Sequence, residues 1–193
     1  MRKFMLLVIA AIVLSLVGCG DYQTSYSKSY SMYFDTQDQK VINETYRLVR
    51  IFNEKLGRNA LLATRDHKAA NSYVKFTRGL RNDDGKLGYG KWETSMYQEP
   101  DFRRIEGRTL ERTITYSMQL EYDEGFYAER VGADLESEEW QELFLLFCHE
   151  VGHGMQMDHH PDEKNVMYYL INGADGIKFD EYFAQVRAFL DRK

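Results

Sequence analysis

Four residues carry the chemistry open to this chain: His149, Glu150, His153 and His159, in the run H-E-V-G-H-G-M-Q-M-D-H. Two imidazoles four positions apart on a helix lie about 40° from each other around the axis and one turn apart along it. Both rings can then reach one ion at the roughly 2.0–2.1 Å of a Zn–N bond. Glu150 lies about 100° further round than His149, beside such an ion rather than on it. A carboxylate there suits a general base acting on metal-activated water. The chain has 5 histidines, and four of them, counting His160, fall between 149 and 160. That concentration argues against the competing reading, a polar helix end whose histidines are merely solvated.

The third ligand follows from helix geometry. In an unbroken helix His159 would stand about 15 Å beyond His149 and about 80° off its face, too far to share an ion. The helix must therefore end soon after His153 and the chain must turn back. Gly154 and Pro161 are the local breakers. His160, one residue out of register, is the alternative third ligand.

With these residues in place, the stretch resembles the metzincin zinc endopeptidases, whose motif is H-E-x-x-H-x-x-G-x-x-H followed by a methionine turn. His149, Glu150, His153 and His159 fall on that pattern, and Met167 in Asn-Val-Met-Tyr-Tyr falls on the turn methionine. The spacing from His159 to Met167, with Asp162 between them, is similar to the matrix metalloproteinases. Tyr169, two after the methionine, matches the tyrosine of astacins and serralysins, which contacts the zinc or the developing oxyanion. The family glycine is Gln156 here. Either Gln156 bears a left-handed backbone, at roughly 1–2 kcal/mol, or the turn is displaced towards Gly154.

The resemblance implies an α+β fold of zincin type: a twisted, mostly parallel sheet with one antiparallel edge strand, an active-site helix and a C-terminal helix. It implies one catalytic Zn²⁺ held by His149, His153 and His159, Glu150 as the base, Tyr169 at the oxyanion and Met167 as a floor that does not ligate. The substrate would be a peptide or protein lying along the edge strand. A site completed by Glu181 instead of His159 is the rival within enzymes. A lipid-anchored binding protein with a structural or vestigial zinc site is the rival outside them.

The chain opens with Arg2 and Lys3, then an apolar run from Phe4 to Val17 that is too short to span a bilayer and suits a signal-peptide core. It ends in Leu16-Val17-Gly18-Cys19, which resembles the lipobox of bacterial lipoproteins, with Cys19 the lipidated residue. An ordinary secretory signal is the alternative. Lipidation would place the protein in the bacterial cell envelope, anchored to a membrane, and Gly20 after the cysteine is similar to outer-membrane lipoproteins.

Three segments are therefore expected: residues 1–18 as leader, 19–34 as lipidated cysteine and flexible tether, and 35–193 as the catalytic domain. The tether reading rests on residues 20–34 being rich in Ser and Tyr without a clear period. With a net charge of −5, the chain does not suggest nucleic acid. Cys148 is the only cysteine besides Cys19, so the mature domain has no internal disulfide, and Cys148 reads as a core thiol.

The elements around the motif are legible from their periods. Asp35-Thr36 caps a helix to about Leu56 with Gly57 ending it, and 60–65 and 72–79 are strands. Asn82-Asp83-Asp84-Gly85 and the glycines up to 90 signal turns, with calcium a further possibility for the acidic residues. Ile114, Tyr116, Met118, Leu120 and Tyr122 alternate with polar residues, giving the clearest strand. Ser137 caps the active-site helix, whose apolar stripe runs through Trp140, Leu143, Phe144, Phe147 and Val151. Phe179, Tyr182, Phe183, Val186, Phe189 and Leu190 make an amphipathic C-terminal helix.

Overall fold

Tyr30, Met32 and Phe34 are wholly buried, while Ser31, Tyr33 and Asp35 between them are not. That alternation is a strand with one face on a core, and it has a paired strand on either side. The computed structural model describes residues 22–26, 29–80, 86–98, 110–171 and 173–192. Within them the strands are β1 (Tyr22–Tyr26), β2 (Tyr30–Asp35), β3 (Leu61–Thr64), β4 (Ser72–Thr77), β5 (Gly88–Gln98) and β6 (Leu110–Asp123). The helices are α1 (Gln39–Leu56), α2 (Glu124–Arg130), α3 (Glu138–Gly154) and α4 (Phe179–Leu190).

The 6 strands form one mixed sheet. β1, β2, β3, β4 and β6 run parallel, and β5 alone runs antiparallel, paired only with β6. β1 pairs with the start of β6 and β4 with its end, so β5 borders β6 on the other side and forms an edge. This is the α+β arrangement expected, including its antiparallel edge strand.

The helices cover the face to which Met118, Leu120 and Tyr122 of β6 point. Phe52 of α1 joins them, with its ring centroid 6.0 Å from Phe147 of α3 and 6.5 Å and 5.2 Å from Tyr182 and Phe183 of α4. Edge-on aromatic contacts of this kind add to the area they bury. At the N-terminal end of α3 the buried Glu44 carboxylate accepts from the Trp140 indole at 2.9 Å and from the Gly132 amide at 3.0 Å. Ser137 Oγ caps the helix at Trp140 N. Cys148 is fully buried and free, as expected.

The segment expected to be a tether is the main departure. Residues 22–26 and 30–35 are strands β1 and β2, so the folded domain begins well before residue 35. Tyr30, Ser31 and Tyr33, which suggested a linker, lie on the two faces of β2, Tyr30 on the buried one. α1 begins after Asp38, whose side chain accepts from Lys40 N, because β2 still holds Asp35. Gly57 ends α1 in the left-handed region, as expected. Gly88 and Gly90 lie inside β5 rather than in a turn. The short α2, capped by Asp123, was not foreseen. The leader, Cys19 and the acidic run 82–84 lie outside the described residues.

Candidate metal centre

The last turn of α3 is built to stop. Met157 N donates to Gly152 O at 2.9 Å and Gln156 N to His153 O at 3.0 Å, the bond pair of a Schellman motif. The residue between must be left-handed, and it is Gln156, with φ 65°. It is the only non-glycine residue of positive φ among the described residues. The strain is therefore borne at Gln156, and the turn is not displaced to Gly154.

This reversal brings His159 back over α3. His153 Nε2 lies 3.1 Å from His149 Nε2 and 3.2 Å from His159 Nε2. The ligand atoms of the three lie within 4.8 Å of one another, a group able to hold a metal ion. The other nitrogens of the helical pair are taken: His149 Nδ1 is 2.8 Å from Val166 O and His153 Nδ1 is 2.9 Å from Met157 O. A carbonyl only accepts, so each Nδ1 carries the hydrogen and each Nε2 presents a lone pair. Lone pairs facing at 3.1 Å repel unless a cation lies between them. Three nitrogens around a tetrahedral zinc would stand about 3.3 Å apart, so the donor set fits such an ion.

His160 is not part of this group. Its amide donates to Met167 O at 2.8 Å and its Nδ1 accepts from Asp162 N at 3.1 Å. Glu181 is exposed on α4 and lies outside the cluster. Asp162 instead pairs with Lys178 at 2.7 Å, and the ammonium holds its carboxyl below the usual range.

Burial shapes the electrostatics. It pushes the His149 imidazole down to about 4, partly offset by the Val166 carbonyl, and lowers His153 too. Burial likewise pushes the Glu150 carboxyl up to about 8. Neutral imidazoles are what a metal needs, and a nearby dication would restore the ionised carboxylate.

Met167 is 2% exposed and lies under α3: a side chain at Gly152 would run into its sulfur. Tyr169 is 59% exposed, with its ring 4.6 Å from that of Tyr168. It lines one cleft with His149, Glu150, His153 and His159. The cleft holds about 790 Å³ and continues past Leu87, Gly88 and Gly90 of the β5 side to Leu146, Leu170 and Ile171. Sequence reading missed Gly88 and Gly90. Their signal was available, since glycines in a strand mark close backbone approach. Side chains there would strike Glu150 and, at 90, His153 Cβ at 2.9 Å.

No family model and no curated protein matches the chain. Among solved structures, the crystal structure of archaemetzincin from Methanopyrus kandleri is similar at 12% identity and a TM-score of 0.43, covering 86% of this chain and 97% of that one.

Proposed function

We propose that this chain is a zinc-dependent endopeptidase. The observation that carries the reading is the convergence of three imidazole nitrogens in an open cleft that also contains the Glu150 carboxyl. His149, His153 and His159 would hold the ion, their Nε2 atoms being the ones that converge. Zinc so held would acidify water and polarise a carbonyl. Glu150 takes the proton of the attacking water and passes it to the leaving amine. The exposed Tyr169 hydroxyl donates to the oxyanion. Met167 supports the helix beneath the ligands without ligating.

The substrate is a peptide or protein. Among the described residues β5 pairs with β6 alone, so its other side can take an extended peptide as an added strand. Cys19, by its lipobox resemblance, anchors the protein to a membrane of the bacterial envelope.

The test is zinc content and casein cleavage by the detergent-solubilised full chain and its Glu150→Gln variant. Zinc bound by both, with cleavage by the first alone, is the expected result. Full zinc with no cleavage of any peptide by the unmodified chain would favour a binding protein with a vestigial site.

A further inference from the structure

Glu150 is held in place without being fully bonded. It is 3% exposed, and its Oε2 is buried with no hydrogen-bond partner among the described residues. Buried carboxylate oxygens are almost always paired, so this one asks for a reason. A glutamate side chain with an unpaired oxygen must be kept in one rotamer by something else.

That something is the main chain of β5. A Cβ built on Gly88 would lie 2.6 Å from Glu150 Oε1 and 2.8 Å from both Cδ and Cγ, and these are its three nearest heavy atoms. Gly88 faces Tyr122 in the β5–β6 ladder, which fixes its backbone. Its φ is not among the positive ones, so its backbone conformation does not require glycine. What requires glycine is the space that Glu150 occupies.

We infer that Gly88 is the positioning residue for Glu150: a bare stretch of main chain walls the carboxyl, so that it is placed by contact and keeps an oxygen unengaged. A hydrogen-bond donor in that role would occupy the lone pair that must accept a proton. The catalytic meaning of this wall rests on the peptidase reading. The contact does not.

The experiment is Gly88→Ala in the full chain, read three ways. A crystal structure should show the Glu150 carboxyl displaced by about 1 Å or more with α3 unmoved. Zinc content should stay as in the unmodified protein, while kcat for a peptide falls about 10²-fold and KM changes little. In a Glu150→Ala background, which removes Cγ, Cδ and Oε1, the same substitution should leave Tm and zinc content unchanged. A carboxyl that stays in place, or a kcat that does not fall, overturns the inference. If Gly88→Ala does not fold, Gly88→Ala/Glu150→Ala should fold, since the collision is gone; failure of that double variant also overturns it. Should the unmodified protein prove inactive, the peptidase reading fails, and the crystal structure still decides the contact.

Discussion

The Met167 side chain fills the room that a Cβ on Gly152 would need: such an atom would meet the sulfur first and then Met167 Cε at 3.1 Å. Gly152 lies one residue before His153, so the Met167 side chain packs directly on the main chain of α3 beside that histidine. Both residues are buried, and Tyr182 closes the same notch at 3.3 Å. Gly152→Ala therefore overpacks the floor of the site. It should cost about 1–3 kcal/mol, seen as a lower Tm, with weakened zinc retention. Met167→Ala in the same chain should recover part of the Tm. No recovery would mean that the methyl collides with something else.

Gln156 is the opposite case, a position where glycine is missing. Its left-handed backbone costs roughly 1–2 kcal/mol relative to glycine. Glycine in its place gives back part of that gain through a freer unfolded chain and loses the 3.3 Å contact from Arg192. Gln156→Gly should raise stability by about 1 kcal/mol or less and leave zinc content and peptide hydrolysis unchanged. A large loss of hydrolysis would contradict the Schellman register that returns His159 to the ion.

The ligand set has a direct test by metal analysis. His153→Ala removes the nitrogen that sits between the other two, and should abolish stoichiometric zinc. His159→Ala should weaken binding strongly, since an ion left on two imidazoles lacks the usual minimum of protein ligands. His160→Ala should bind zinc as the unmodified chain does, because its ring serves the turn at Asp162. Equal loss from His159→Ala and His160→Ala would reopen the choice between them.

Two buried groups give the metal-free protein opposite pH responses. Glu150 titrates at about 8 in the fold against an ordinary 4.5. Its contribution is complete below 4.5 and is lost as pH rises through 8. His149 titrates at about 4 against 6.5, so its contribution is present above 6.5 and is lost as pH falls through 4. With metal removed by chelation, Glu150→Gln should be increasingly more stable than the unmodified chain as pH climbs from 5 to 8. Urea unfolding across that range decides it. Parallel curves would mean that Glu150 is solvated in the metal-free protein.

The clustering of His149, His153 and His159 was legible because local spacing encodes it. Residues 149, 150 and 153 share a helix, and helix geometry alone forces the chain to turn before His159. Sheet neighbours are not encoded that way. Gly88 and Gly90 read as turn formers because their partner, Glu150, is 60 residues away and only the folded sheet brings it near. Tyr30, Met32 and Phe34 do alternate with smaller or polar residues. The serines and tyrosines around them hid that period, and a short segment with mixed composition offers little else to read.

That misreading yields the sharpest stability prediction. The sequence-based boundary at residue 35 would leave out β2, whose Tyr30, Met32 and Phe34 are each 0% exposed. β2 pairs with β3 on one side and β4 on the other, so its loss also leaves β3 without a partner among the described strands and opens one edge of β4. Removing a single large core side chain costs about 2–5 kcal/mol, and a domain's whole stability is about 5–15 kcal/mol. Three such side chains together are comparable to that whole margin. A chain that starts at residue 36 should be unfolded by circular dichroism and fail to hold zinc, whereas one that starts at residue 20, with β1 and β2 intact, should fold and bind one ion. A folded, zinc-binding chain from residue 36 would show that the core does not need β2.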